Sequence, residues 1–315
     1  MLPVLADVAE ASASAATAMI SLPGPMIEGL LLALAAAFVY GFLGISFEIA
    51  GKRLYKVWDV ILVKQSTGFL IGIVCTIALH VPLLDRRLMW LGAIGAASYV
   101  LTLSAYLMAS RERNIASNWT IVNLSVAMPI LISVVFFGDA FTASKSVGVV
   151  LTLLSIILIG RTSSNKAGKM WRGSRWLIYI TIAFLLNGVL VILFRFVPPG
   201  REALFTVYFY GISVIFVFFY KAIFDRTAQF NRGLVGVSVM GAVTHWSGIM
   251  LTMSALALVA KVSNQTGVIV YPITNGLVIP IGVFLGALLL KQHIDRRVGL
   301  GVGIGVVALI CLFLP

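Results

Sequence analysis

Ten side chains fall deep inside apolar stretches and have the types to do chemistry there: Tyr40, Ser98, Tyr99, Asn123, Asn187, Thr244, His245, Trp246, Tyr271 and Asn275. A hydroxyl, amide or imidazole in such a stretch is expensive to leave against hydrocarbon, so it faces a bundle interior, a partner or a wet cavity. The chemistry this set offers is hydrogen bonding and aromatic contact with a small solute, in a site that is amphipathic and largely uncharged. The structural alternative is hydrogen bonding between helices, for about 0.6 to 2 kcal/mol each. Catalysis is not indicated. The sequence has no Cys-His pair, no paired carboxylates inside an apolar stretch and no metal-ligand spacing. Cys75 and Cys311 sit singly in apolar segments, and His80 and His293 fall at segment ends. Neither enzymatic activity, a cofactor nor a metal is expected.

The elements that position this set follow from composition. In 315 residues, 60% are hydrophobic and 11% charged, and the mean hydropathy is +1.06. That excludes a pair of soluble domains. Ten windows approach the roughly 20 apolar residues needed to cross about 30 Å of hydrocarbon. They lie at 27–50, 58–80, 88–109, 114–137, 143–160, 176–197, 202–224, 234–258, 262–290 and 296–314. The windows lack the alternation of barrel strands, so the expected class is an all-α integral membrane protein of ten transmembrane helices. Residues 1–26 read as a small-residue tail without the basic start of a secretory signal. The net charge of +12 arises largely from short loops between spans and not from a nucleic-acid-binding face.

The chain repeats itself. Ser117-Asn118-Trp119-Thr120 returns as Ser263-Asn264-Gln265-Thr266 after 146 positions, and Gly95 through Tyr99 returns as Gly241 through His245 at the same spacing. Tyr40-Gly41 through Phe47-Glu48 answers Asn187-Gly188 through Phe194-Arg195 at 147. This predicts two five-helix halves, 27–160 and 176–314, joined by the basic loop 161–175. Five spans per half is odd, so the halves enter the membrane in opposite directions, a 5+5 inverted repeat. The repeat pairs Tyr40 with Asn187, Ser98 with Thr244 and Tyr99 with His245, at comparable depth around one cavity. Lys and Arg number 16 in the odd-numbered loops and 6 in the even ones, Arg195 included and Lys64 set aside as buried, which places both termini outside.

Other positions have a local reading. Asn118 and Asn264 open the fourth and ninth spans, as symmetric gate elements or as helix caps alongside Ser117 and Ser263. Both asparagines match a glycosylation sequon, but they enter apolar spans and not exposed loops. Tyr271-Pro272, Asn275-Gly276 and Pro280-Ile281-Gly282 predict a kink or unwound stretch in the ninth span. Glu48 and Arg195 occupy one repeat position on opposite faces and so cannot pair. Glu48 is expected to meet Lys64 as an ion pair at the rim, with proton coupling or carboxylate binding as the other reading. Gly299-Leu300-Gly301-Val302-Gly303-Ile304-Gly305 lacks a nucleotide-binding order and reads as small-residue packing faces, against the fifth span or a second subunit.

The run from Ala116-Ser117-Asn118 through Pro129, then Gly138-Asp139-Ala140-Phe141-Thr142 up to Gly148, resembles the drug/metabolite transporter superfamily, in its EamA-type ten-helix branch. The ninth and tenth spans repeat the pattern, with Gln292 and Gly301 at the places of Asp139 and Gly148, so the second turn has lost its acid. The resemblance covers about 27–314. It implies a carrier with a central cavity lined by helices 1, 3, 4, 6, 8 and 9, and both termini in the cytoplasm, against the charge count. Four-helix multidrug relatives carry a glutamate in mid-helix one, where this chain has Tyr40, which argues against export of cationic drugs.

The expected function is a secondary transporter in the inner or plasma membrane that moves a small organic metabolite, such as an amino acid or related compound, outward by alternating access. A nucleobase or sugar-derivative carrier and a membrane-embedded lipid-handling protein are the alternatives. Expected partners are the bilayer, the small-molecule substrate and a homodimer mate at the glycine-rich tenth span, with no nucleic acid.

Overall fold

The structure, a computed structural model, describes residues 23–112, 115–128, 142–161, 170–263, 266–292 and 294–313. Asn264, His293, Pro129 and the Gly138–Thr142 turn up to Phe141 lie outside the described residues, as do Lys166 and Lys169 of the basic loop. The described residues are all-α, with no strand among them. The helices are α1 (Gly24–Lys52), α2 (Val57–Ala78), α3 (Arg86–Glu112), α4 (Ile115–Asn123), α5 (Ala143–Arg161), α6 (Met170–Leu193), α7 (Glu202–Phe224), α8 (Arg232–Val259), α9 (Thr266–Tyr271), α10 (Val278–Leu290) and α11 (Arg296–Phe313). Among the described residues, seven stretches are long and apolar enough to cross a membrane: 24–52, 57–78, 86–112, 175–196, 202–224, 232–259 and 269–290. Their outer faces carry exposed large apolar side chains, among them Leu70, Val74 and Ile77 on α2 and Phe218, Phe219 and Ile223 on α7. A belt of that kind has no stable place in water, and the chain is a multi-pass membrane protein.

Local sequence sets the helix ends. α1 begins after Pro23 with Pro25 in its first turn, where no amide donor is missed. Asp85 accepts from the Leu88 amide at 3.1 Å to start α3, and Asn231 accepts from the Leu234 amide at 2.8 Å to start α8. Leu54, His80 and Lys291, at φ 53°, 53° and 50°, turn the chain through the left-handed region just past α1, α2 and α10. His80 therefore has a turn position and no other visible task.

The stretch expected to be the ninth span is irregular at Pro272. Pro272–Gly276 forms a π-helical turn between α9 and α10, so the ladder of hydrogen bonds widens where Pro272 brings no donor. The glycine run of α11 divides by face. Gly301 and Gly305 meet Ile159 and Ser155 of α5, and the Ser155 and Ser144 hydroxyls donate to the carbonyls of Gly301 and Cys311 at 2.6 Å each. Gly299 and Gly303 face away from that contact.

Side-by-side packing is closest between α1 and α8, α5 and α11, α3 and α6, and α2 and α7. One end of the bundle is tied by charge. Lys221 meets the buried Asp59 carboxylate at 2.5 Å, an ion contact without hydrogen-bond alignment, and the Gln229 amide donates to Asp59 at 2.7 Å. Lys56 reaches Asp225 at 3.3 Å and also Thr227, and Arg111 donates to the Tyr55 carbonyl at 2.9 Å.

Candidate functional site

Six stretches of chain enclose a central cavity, and on the longer helices each gives one face. α1 contributes Tyr40, Leu43 and Phe47; α3 contributes Tyr99, Thr102, Leu103 and Tyr106; α6 contributes Asn187, Leu190 and Val191, followed by Phe194 in the 3-10 turn at its end. Residues three, four and seven apart lie above one another on a helix, so each set is a single stripe two turns long. Trp119, Val122 and Asn123 come from α4, His245 and Thr252 from α8, and Tyr271 and Asn275 from α9 and the π turn. The space open to the centres of water molecules is about 70 Å³, room for several waters or a compact solute at roughly 10–15 Å³ per water centre.

The wall is aromatic with polar tips. Tyr99 and His245 stack with ring centroids 4.3 Å apart, and Phe47, Tyr106 and Trp119 pack edge-on or tilted against one another at 5.7 to 6.4 Å. Small residues let these rings in: a Cβ on Gly282 would lie 2.5 Å from Trp119, and one on Gly248 would strike the Tyr40 ring. Among the described residues, three polar atoms of the wall are buried without a hydrogen-bond partner, Tyr99 Oη, Thr102 Oγ1 and Trp119 Nε1, while the Tyr106 hydroxyl faces Ser110 and the Thr252 hydroxyl faces Tyr40. An unmet polar group costs about 1–3 kcal/mol, and three around one space mark a site built to be filled by water or ligand.

Seven of the ten residues singled out by sequence meet at this cavity: Tyr40, Tyr99, Asn123, Asn187, His245, Tyr271 and Asn275. Three do not. Ser98 is buried one position round α3 from Tyr99, Thr244 turns its hydroxyl back to the Met240 carbonyl at 2.8 Å, and the Trp246 indole donates to Thr206 of α7 at 3.1 Å. Each is sequence-adjacent to a cavity residue and so points about 100° away on its helix. The asparagine amides are partly committed: Asn123 donates to the Trp119 carbonyl at 2.8 Å, Asn187 to Ser125 at 2.9 Å, and Asn275 to Thr274 at 3.0 Å. Tyr271 donates to the Val191 carbonyl at 3.1 Å.

The expected Glu48–Lys64 ion pair does not form. Glu48 accepts from Gln292 at 2.7 Å and stands 3.9 Å from Lys52, closing the charged end of the bundle between α1 and the residues after α10. Lys64 is fully buried two turns inside α2 and points inward, with its Nζ 3.1 Å from His245 Nδ1, 3.2 Å from Gln65 Oε1 and 4.5 Å from the Tyr99 ring centre. Arg195 lies exposed at the other end, in a second opening of about 240 Å³ with Glu202, Met253 and Thr266. That opening shares Phe194 and Tyr271 with the central cavity. Asn118 and Ser117 lie inside α4 and not before it, and Asn118 accepts from the Trp176 indole at 2.7 Å, which ties α4 to α6. Asn118 thus ties two helices and does not cap one.

Sequence reasoning missed Phe47, Thr102, Tyr106, Trp119 and Thr252. The signal was present as helical spacing: Tyr99, Thr102 and Tyr106 share one face of α3, and His245 and Thr252 share one face of α8.

Comparison with known proteins adds the fold and little else. No family model matches the chain. An uncharacterized protein of Haemophilus influenzae (strain ATCC 51907 / DSM 11121 / KW20 / Rd) is 25% identical over 191 residues, which is 60% of this chain and 63% of that protein. A solved crystal structure is similar in fold, with a TM-score of 0.59 over 90% of this chain and 95% of its own, at 11% identity.

Proposed function

We propose that this chain is a secondary carrier of the inner or plasma membrane, with ten spans in two inverted five-helix repeats, which binds a small organic metabolite in the central cavity and moves it by alternating access. The observation that carries the reading is the group of three unpartnered buried polar atoms, Tyr99 Oη, Thr102 Oγ1 and Trp119 Nε1, around one aromatic cavity. A scaffold of packed helices would pair or omit them, because hydrocarbon surroundings offer no other partner.

Three further features support it. Cavity residues match at the repeat spacing: Tyr40, Leu43 and Phe47 with Asn187, Leu190 and Phe194 at 147, and Tyr99 and Tyr106 with His245 and Thr252 at 146. The packing of α1 on α8 has its counterpart, under exchange of the two halves, in that of α6 on α3. The wall is also drawn from spans 1, 3, 4, 6, 8 and 9, the set that the resemblance to EamA-type transporters implies. The cavity shares Phe194 and Tyr271 with the opening beside Arg195, whereas Glu48–Gln292 and Asp59–Lys221 tie the opposite end. One tied end and one vestibule is the asymmetry that an alternating-access carrier holds in either of its states. Wall chemistry favours a flat or compact, uncharged or zwitterionic solute with hydrogen-bond acceptors, since Trp119 Nε1 can only donate.

The test is a thermal-shift screen of purified protein against amino acids, nucleosides and sugars. A class that stabilises the wild type and neither Tyr99→Ala nor His245→Ala is the expected result. Equal stabilisation of all three proteins would remove the cavity from the mechanism.

A further inference from the structure

Behind the cavity wall, Lys64 and Tyr210 meet the cavity residue His245 from the side away from the ligand space. Lys64 Nζ lies 3.1 Å from His245 Nδ1, and Tyr210 Oη lies 2.7 Å from the same nitrogen. Both side chains are buried along with the imidazole. Among the described residues no Asp or Glu oxygen lies within 4.0 Å of the lysine nitrogen. What faces it is Gln65 Oε1 at 3.2 Å on its own helix, the Phe47 ring from α1 at 5.9 Å, the Tyr99 ring from α3 at 4.5 Å, the Tyr210 ring from α7 at 5.4 Å and His245 from α8. Tyr40 of α1 adds a further titratable group 6.5 Å from the imidazole, centre to centre. A lysine in the middle of a membrane bundle with no carboxylate beside it is costly to keep without a task.

We propose that Lys64 and His245 form a proton-binding site in which the pair exchanges one proton with the cavity; resting on the transport reading, that proton is the carrier's coupling ion. The geometry makes the two protonation states exclusive. A neutral imidazole has one bare nitrogen, and Nδ1 is approached by two donors. With Lys64 as an ammonium, its three N–H groups have Nδ1, Gln65 Oε1 and the Tyr99 face to point at, and His245 carries its own proton on Nε2. In the other state Lys64 N–H passes its proton to Nδ1, the imidazole gives up the Nε2 proton to water or solute in the cavity, and Nδ1–H turns to Tyr210 Oη. One N–H bond breaks on lysine and one forms on Nδ1. One proton leaves through the ring that lines the cavity, and no other reagent is required. The stack of Tyr99 on His245 connects the two events, because an occupant held by the Tyr99 hydroxyl presses on the ring that relays the proton.

The test needs neither substrate nor transport, so it fails or succeeds independently of the carrier reading. The chain has three histidines, so protein labelled with ¹³C at the histidine ring, in lipid nanodiscs, gives few resonances, and His245→Gln identifies the one at issue. Over pH 5 to 10 the wild-type His245 signal is expected to move, and in Lys64→Met its midpoint is expected to shift by about one pH unit or more, as charges in contact do. Tyr210→Phe, which leaves the lysine, is expected to move it less. A His245 signal that is flat with pH, or that titrates identically in wild type and Lys64→Met while the other histidine signals show both proteins folded, overturns the proposal.

Discussion

Tyr99 and His245 lie face to face, ring centroids 4.3 Å apart and planes 11° from parallel. They are 146 positions apart and end two similar stretches of sequence, Gly95 through Tyr99 and Gly241 through His245. The pair forms one wall of the cavity, with the Tyr99 hydroxyl unpartnered and the imidazole held from behind by Lys64 and Tyr210. Removing that hydroxyl breaks no hydrogen bond within the protein. Tyr99→Phe is therefore expected to change the unfolding free energy by less than about 1 kcal/mol while weakening whichever compound class stabilises the wild type. Melting with and without that class checks both halves of the statement.

Trp119 enters the cavity over Gly282, where a methyl group would sit 2.5 Å from the indole. The indole has no slack, packed as it is on Phe47 and Tyr106. Gly282→Ala is expected to cost about 1–3 kcal/mol through overpacking and to displace Trp119 into the cavity. Loss of ligand-induced stabilisation together with a changed tryptophan emission would show it. An unchanged spectrum would mean that α10 moves instead.

Asp59 is wholly buried and Lys221 nearly so. Lys221→Met leaves a carboxylate inside the bundle with the Gln229 amide and no cation, and is expected to cost about 3–5 kcal/mol. Adding Asp59→Asn to that variant removes the stranded charge and should recover a substantial part of the loss. A double-mutant cycle on melting temperatures measures the coupling, and strictly additive losses would contradict it.

Asp225, beyond the end of α7, is held below the usual carboxyl range by the Thr227 hydroxyl first and by Lys56 and Lys221 after it, against some desolvation. A carboxyl whose folded value is depressed stabilises the fold at pH above its unfolded value, and that contribution is lost as pH falls through the folded one. The tie between α7 and the start of α2 is thus expected to be intact at neutral pH and to weaken below about pH 4. Thermal melts from pH 3 to 6 should show a drop in the wild type that is smaller in Asp225→Asn.

Much of the architecture is legible in the sequence because hydrocarbon is an undemanding solvent to read. A run such as 202–224 has one stable form in a bilayer, and α7 occupies those residues. Tyr271-Pro272 announces the break that becomes the π turn, since proline removes a donor wherever it stands. Most of the cavity is legible too, because a polar group surrounded by apolar neighbours has few places to point, and Tyr40, Tyr99, Asn187 and His245 all point there.

What the sequence by itself determined is which stretches are apolar enough to be spans and which polar side chains fall inside them. Only tertiary structure decided what each buried group meets, because that depends on the rotation and tilt of helices far apart in the chain. Lys64 and Glu48 are close in sequence and read as partners, yet α2 turns Lys64 toward His245, 181 positions away, while Glu48 reaches Gln292, 244 positions away. Trp119 likewise owes its place in the cavity wall to α4, which sets its indole against Gly282 of α10. Hydropathy constrains depth, and packing alone assigns the partner.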